Sequence, residues 1–141
     1  MKKIIFIVMG LLILSSTSNA SYIRVSTGRS IDRSYVPQVR LIRPTGEKVS
    51  LQGQDSLEFV WSRHEGRRLG GSRYYDFRLY KGLDMVQATL MLKERVPGNT
   101  RSISISADTF ENGGTYTWSI RLVYKGIGKS DRSFSSFTVK K

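Results

Sequence analysis

The chain has 141 residues, of which 23 are basic and 11 are acidic, and its formal net charge is +12. It contains no cysteine, which excludes thiol catalysis, disulfide bonds and cysteine-based metal sites. A surplus of positive charge of this size favours anionic partners and carries no information about the fold.

The first twenty residues have the layout of a bacterial secretory signal peptide. Two lysines form a positive start, residues 4–14 are apolar apart from one glycine, and the small residues Ser18 and Ala20 precede a cut before Ser21. A retained membrane anchor is the less favoured interpretation, because this apolar run is shorter than the roughly 20 residues that span a bilayer. We therefore predict export to the periplasm or the extracellular space, with residues 1–20 removed and no transmembrane segment in the mature chain.

The rest of the chain divides into an arm and one domain. Residues 21–36 contain three arginines among serine, threonine and glycine and show no sustained periodicity, so we expect a basic N-terminal arm or linker. Residues 37–141 are long enough to bury an apolar core within a single domain. The first strand of that domain is predicted at Gln38–Arg43, where flanking prolines are typical of a sheet edge, and residues 49–51 could extend it.

Six further strands are indicated by alternating apolar residues and by the turn signals between them. The most regular one starts at Thr115, and its large apolar side chains recur at every second position. Residues 85–93 fit a strand or a short helix, and the neighbouring strands favour a strand. The six predicted strands cover residues 57–61, 74–81, 85–93, 102–106, 115–124 and 133–140. Seven strands with no clear helix predict an antiparallel β-sandwich.

Aromatic residues at fixed places in this pattern resemble those of a known family. Trp61 ends the second strand, a Tyr-x-Phe-x-Leu strand follows, and Phe110 stands six residues before Tyr116 at a glycine-bearing corner. Over residues 37–141 the chain resembles a fibronectin type III domain, a seven-stranded antiparallel β-sandwich of the immunoglobulin-like class. The resemblance implies a tyrosine corner, in which the Tyr116 hydroxyl bonds to the backbone a few residues upstream. Trp61, Phe110 and Tyr116 are then structural, as is Trp118 on the buried face of the long strand.

The resemblance also places several basic segments together. In this fold the loops after the second, fourth and sixth strands lie at one end, and here they are rich in arginine and lysine. We name this surface the basic loop end, and its members are Arg63, Arg67, Arg68, Arg73, Arg101, Lys125, Lys129 and Arg132. Bidentate arginine contacts could hold phosphate, sulfate or carboxylate groups there. A solvated loop end that only keeps the protein soluble accounts for the charge equally well.

A second candidate surface is the outward face of the third and sixth strands. Tyr74, Arg78, Tyr80 and Arg121 lie on it, alternating with core residues. An exposed aromatic pair beside arginines could stack on a sugar ring or anchor a partner protein. Ordinary cross-strand pairing on a solvated sheet is the favoured interpretation, because isolated surface aromatics are common.

Nothing in the sequence indicates catalysis or a cofactor. His64 is the only histidine and lies among charged residues, with no second histidine and no cysteine to share a metal ion. No serine stands in a nucleophile motif, and no two carboxylates are placed across a cleft. We therefore predict a protein that is not an enzyme and holds no metal or cofactor.

These features favour an exported, non-enzymatic binding module that engages an anionic or carbohydrate-bearing partner through the basic loop end. The candidate partners are an envelope protein, an anionic polysaccharide and lipid head groups, whereas the compartment disfavours nucleic acid. The alternative is a structural spacer or an accessory subunit of an envelope protein assembly.

Overall fold

Nine strands form the part of the chain that the structure describes, which is residues 36–46, 48–62 and 72–141 of a computed structural model. The strands are β1 (Leu41–Arg43), β2 (Lys48–Ser50), β3 (Ser56–Trp61), β4 (Arg73–Lys81), β5 (Leu90–Pro97), β6 (Ser102–Ser106), β7 (Thr115–Tyr124), β8 (Gly128–Lys129) and β9 (Ser133–Lys140). Two short 3-10 turns, Gln87–Thr89 and Ala107–Thr109, precede β5 and follow β6. The predicted signal peptide and nearly all of the predicted arm lie outside the described residues.

The strands make two sheets whose inner faces share one apolar core. β1, β3 and β6 form the smaller sheet, with β3 in the middle. β2, β9, β7, β4 and β5 form the larger sheet in that order, and the short β8 pairs with the end of β7. All pairs are antiparallel except β2 and β9, which run parallel. The protein is therefore an all-β, immunoglobulin-like β-sandwich.

The predicted first strand is divided between the two sheets, which corrects the expectation of a single edge strand. β1 pairs with β3 in the smaller sheet, and β2 pairs with β9 in the larger one. Between them the chain turns at Gly46, whose φ of 66° lies in the left-handed region that favours glycine. The indole Nε1 of Trp118 donates to the carbonyl oxygen of Pro44 at 2.8 Å, so the crossing between the sheets is tied to the core.

The fifth strand also differs from its prediction, because it starts five residues later and ends four residues later. The sequence predicts a strand over residues 85–93, whereas β5 runs from Leu90 to Pro97. The strand assignment is confirmed, and its predicted start is wrong because Gln87–Thr89 form a 3-10 turn. The hydroxyl of Thr89 donates to the carbonyl oxygen of Val86 at 3.0 Å, a local side-chain bond that competes with strand pairing.

An aromatic cluster fills the space between the sheets. Phe59 lies at its centre, with its ring centroid 5.3 Å from those of Phe77 and Trp118 and 5.7 Å from that of Phe137. Edge-to-face contacts of this kind add to the free energy gained by burying the rings. Trp61 and Trp118 are fully buried, in agreement with their predicted structural roles. In a chain without cysteine, this packing takes the place of disulfide cross-links.

The predicted tyrosine corner is present between β6 and β7. The backbone N–H of Glu111 donates to the Tyr116 hydroxyl at 2.7 Å, and the Phe110 ring packs edge-on against the Tyr116 ring at 5.1 Å. Gly114 makes room for this contact, because a Cβ at that position would lie 2.8 Å from the Tyr116 hydroxyl and ring. The corner therefore depends on a glycine as well as on the two aromatic residues.

Replacing Tyr116 with phenylalanine tests the corner. The N–H of Glu111 loses its acceptor in this partly buried bond, so the free energy of unfolding should fall by about 1 kcal/mol. Tyr74→Phe is the matched control, because the Tyr74 hydroxyl plays no part in the corner. Thermal unfolding of both variants measures the difference, and equal midpoints for Tyr116→Phe and the unmodified protein would contradict the structural role of this bond.

Candidate functional site

One carboxylate on the outer face of the larger sheet binds three arginines. Asp76 lies in the middle of β4, and only 7% of its side chain is exposed. Arg78 comes from the same strand, Arg121 from the neighbouring β7, and Arg132 from the connection before β9. We name this group of four residues the Asp76 cluster.

The bonds of the cluster involve both carboxylate oxygens. Arg78 donates from Nε to Oδ1 at 3.3 Å and from Nη2 to Oδ2 at 3.2 Å. Arg121 donates from Nε to Oδ2 at 3.0 Å, and Arg132 donates from Nη2 to Oδ2 at 2.5 Å. Nη1 of Arg132 also donates to the backbone oxygen of Asp76 at 3.1 Å and to the Ser119 hydroxyl at 3.2 Å. The Arg132 side chain is therefore held on the sheet by three acceptors.

The strand period explains why these side chains meet. Asp76 and Arg78 are two residues apart on β4 and so share its outer face, and Arg121 stands directly opposite Asp76 on β7. On the other side of β4, the edge strand β5 places Arg95 opposite Asp76 and Lys93 opposite Arg78. We name the resulting surface the basic sheet face; it consists of Arg78, Lys93, Arg95, Arg121 and Arg132.

The charges of the Asp76 cluster do not balance, because three guanidinium groups share one carboxylate. Burial opposes ionisation of Asp76, but hydrogen bonds and positive charge from Arg78 and Arg132 outweigh it, so the pKa of Asp76 lies below its ordinary value of 3.8. Burial lowers the pKa of Arg132, although the charge of Asp76 opposes that change. Arginine stays protonated in proteins, so the cluster carries two uncompensated positive charges at neutral pH.

The structure places the four predicted sheet-face residues in different environments. Arg78 and Arg121 are brought together, and Tyr74 is half-buried with the guanidinium carbon of Arg95 5.1 Å from its ring centroid. The prediction of an exposed aromatic pair is wrong for Tyr80, which is 4% exposed. Its neighbours across the sheet are Leu90 on one side and the buried Thr117 on the other, and interaction with its side chain raises the pKa of Arg78.

The basic loop end is only partly described. Arg63, Arg67 and Arg68 lie outside the described residues, whereas Arg101, Lys125 and Lys129 are exposed. The backbone N–H of Trp61 donates to the carbonyl oxygen of Arg101, and that of Lys125 donates to the carbonyl oxygen of Ser72, each at 3.0 Å. The described ends of the predicted loops therefore contact one another in these pairs.

Two members of the basic loop end are not free loop cations. Arg73 is half-buried and donates to the Tyr124 hydroxyl at 3.4 Å. Arg132 lies on the sheet face and not at the loop end, because its side chain turns back to Asp76 and Ser119. This corrects its predicted location, since a loop residue's position in sequence does not fix where a long side chain goes.

Two residues of the basic sheet face are not predicted there from the sequence. The sequence places Arg95 in the basic loop after the fourth predicted strand and indicates no role for Lys93, whereas alternation along β5 puts both on the outer face. Phe134 and Phe137 both lie in the last predicted strand, residues 133–140, yet Phe134 is 60% exposed and Phe137 is 2% exposed. Their odd spacing of three positions was the available signal, because residues three apart on a strand face opposite sides.

Within residues 36–46, 48–62 and 72–141, no group of three or more histidine, cysteine or acidic side chains is placed to hold a metal ion. The predicted loop histidine, His64, lies in the part of the chain that is not described. No helix in the described residues has the length and apolar character needed to cross a membrane.

Comparison with known proteins adds little to this picture. No protein-family model matches the sequence, and no curated protein matches it. Among solved structures, the chain is similar to the solution structure of the PKD domain (residues 329–428) of human KIAA0319. The TM-score is 0.44 at 16% sequence identity, and the match covers 82% of this chain and 91% of that one. The fold assignment therefore rests on the strand pairing described above.

The variant Asp76→Asn tests how the cluster is held together. Removing the carboxylate charge leaves three guanidinium groups facing one another, so the free energy of unfolding at pH 7 should fall by about 2 to 3 kcal/mol, less than for a fully buried pair because the arginines are partly exposed. Glu111→Gln, which breaks the exposed pair between Lys81 and Glu111, is the matched control and should leave the unfolding midpoint nearly unchanged.

The loss of stability in Asp76→Asn should depend on pH. Because the pKa of Asp76 is lower in the folded protein than in the unfolded chain, its stabilising effect is complete above about pH 4 and is lost as the pH falls through the folded value. Urea unfolding at pH 7 and pH 3 should show a smaller difference between Asp76→Asn and the unmodified protein at the lower pH. A difference that stays constant would contradict an ionised, arginine-bound Asp76.

Proposed function

We propose that this protein is an exported, non-enzymatic interaction module that binds an anionic partner through its basic sheet face. The Asp76 cluster carries the proposal. One carboxylate fixes the positions of three guanidinium groups, and two positive charges are left over on a rigid sheet. Groups that are fixed before binding lose less entropy when the partner arrives.

A purely structural ion pair does not account for this arrangement. One cation is enough to neutralise Asp76, and each additional guanidinium adds repulsion between like charges. The three arginine side chains are 19% to 26% exposed, so they are held in place and still reachable from solvent. The planar guanidinium group matches carboxylate, sulfate and phosphate with paired hydrogen bonds.

The basic sheet face continues toward the basic loop end. A cavity of about 420 Å³ lies between them, and its lining includes Tyr74 from the sheet and Lys125 and Lys129 from the loop that follows β7. Arg101 is exposed at the same end. An extended anionic partner could therefore contact both surfaces, so the predicted role of the loop end is kept as the smaller part of the site.

The proposal of a non-enzymatic role is supported by the state of Asp76. A general acid or base works best when its pKa lies near the operating pH. Burial opposes the ionisation of Asp76, but Arg78 and Arg132 lower its pKa and so move it further from neutral pH. Hydrogen bonds from the three arginines occupy both of its oxygens. Asp76 is therefore suited to holding arginines and not to transferring protons.

A second candidate function, an accessory subunit that docks by strand contacts, is supported by the edge strand β5. Among the described strands β5 has only β4 as a neighbour, and four large apolar residues are exposed before it and near its start: Leu83, Met85, Val86 and Met91. An unpaired edge with an apolar flank suits the addition of a partner strand. Lys93, Glu94 and Arg95 oppose pairing with an identical copy, since same-face antiparallel pairing would bring like charges together.

Binding to dextran sulfate, with uncharged dextran as the reference, tests the first candidate. The double variant Lys93→Gln/Arg95→Gln removes two exposed charges from the basic sheet face without touching Asp76, and should weaken binding of the mature protein about tenfold. Lys48→Gln/Lys140→Gln removes the same charge at the other end of the sandwich and serves as the control. The unmodified protein should also lose affinity as salt is raised.

The alternative outcomes are distinct. Equal weakening by both double variants would mean that only net charge matters and would contradict a defined site. Absence of dextran sulfate binding, together with salt-resistant capture of one envelope protein that Met91→Asp abolishes, would favour the accessory subunit.

A further inference from the structure

A groove of about 370 Å³ opens next to the Asp76 cluster, between residues 38–41 and the start of β9. Its two walls are joined by hydrogen bonds. Gln38 donates from Nε2 to the backbone oxygen of Arg132 at 3.3 Å, and the Ser133 hydroxyl donates to the backbone oxygen of Val39. The groove is therefore fixed by the fold, and its volume lies in the range of small-molecule sites.

Phe134 gives this groove an exposed aromatic wall. It stands opposite Ser119 in the β7–β9 pair, which places it on the outer face of the sheet and leaves it 60% exposed. The Cβ atoms of such directly opposed residues are about 5 Å apart. The Ser119 hydroxyl accepts from Nη1 of Arg132, so this guanidinium lies close to the position from which the Phe134 side chain extends. Apolar surface and fixed positive charge are thus side by side.

Polar groups complete the lining. Arg40 is exposed on the opposite wall, and Gln38 offers an amide that can both donate and accept. The bonds of Arg132 to Asp76 and Ser119 use its Nη groups, and Nε is not among their donors. A ligand in the groove would meet one aromatic ring, two guanidinium groups and one amide.

We propose that this groove binds a uronic acid unit of an acidic polysaccharide. This inference rests on the proposed function and names the chemistry of the partner. A pyranose ring has an apolar C–H face that covers an aromatic ring and removes both surfaces from water. Its carboxylate then pairs with Arg132 and Arg40, and its hydroxyls bond to the Gln38 amide.

The observations favour this occupant over other anions. A peptide of acidic residues or a phosphatidylglycerol head group supplies the negative charge but has no rigid, flat C–H face to cover Phe134. The neighbouring basic sheet face extends over three more strands, about 5 Å apart, and so offers further cations to the next acidic units of a chain. A polysaccharide uses the groove and the sheet face together.

Calorimetric titration of the mature protein with tetragalacturonate and with tetraglutamate tests the inference. Both probes carry four side-group carboxylates, and only the first has sugar rings. Tetragalacturonate should bind at least tenfold more tightly, and its methyl ester, which lacks the charges, should bind at least tenfold more weakly than the acid. Phe134→Ala should remove the preference for the sugar while leaving tetraglutamate binding unchanged, and Phe134→Tyr should restore it.

Leu83→Ala, at another exposed apolar position outside the lining of both cavities, is the control and should change neither affinity. Equal affinities for the two probes in the unmodified protein, or equal losses with both in Phe134→Ala, would overturn the inference. Dextran sulfate binding that persists in that case would leave the proposed function standing. Tighter, Phe134-dependent binding to phosphatidylglycerol vesicles than to tetragalacturonate would also overturn it and point to a membrane surface.

Discussion

The pairing of one carboxylate with three guanidinium groups is the interaction on which the functional surface depends. Asp76 lies on an interior strand of the larger sheet. Its cross-strand partner on β7 is Arg121, and two residues along β7 lies Ser119, which accepts a hydrogen bond from Arg132. Without the carboxylate, Arg78, Arg121 and Arg132 would repel one another and spread into solvent. With it, long flexible side chains that normally lose much entropy on binding are already ordered.

The sandwich beneath supplies the rigidity that this surface needs. The rings around Phe59 join the two sheets, and the Tyr116 hydroxyl fixes the corner that leads into β7, the strand that carries Arg121. Trp118, the next inward-facing residue on that strand, also anchors the crossing between β1 and β2. Side chains alternate along β7, with Trp118 pointing into the core and Arg121 pointing to the outer face. Packing of the core therefore also fixes the position of Arg121.

Local pattern was enough to predict the sandwich and the inward face of Trp118, because period-two alternation is a property of short segments. The structural role of Trp61 and the tyrosine corner were implied by the resemblance to fibronectin type III domains. Local pattern also placed Arg78 and Arg121 on one outer face. It did not predict that Arg132 lies on the sheet, since that position depends on a carboxylate 56 residues away in sequence. The burial of Tyr80 depends on the register between β4 and β5, which includes a shift that the sequence does not reveal. The exposure of Phe134, by contrast, was readable from its spacing to Phe137.

Heteronuclear NMR of the arginine side-chain Nε–H groups, recorded while sulfate is added, tests the central claim most directly. We expect the Nε–H signals of Arg78 and Arg121, which donate to Asp76, to be protected from exchange in the free protein. On addition of sulfate, these two signals and that of Arg132 should shift together in a saturable way. We also expect the exposed Arg101 to show only the small, linear shifts of weak charge screening. Saturable shifts confined to loop arginines, or equal linear shifts at every arginine, would contradict a preorganised anion site around Asp76.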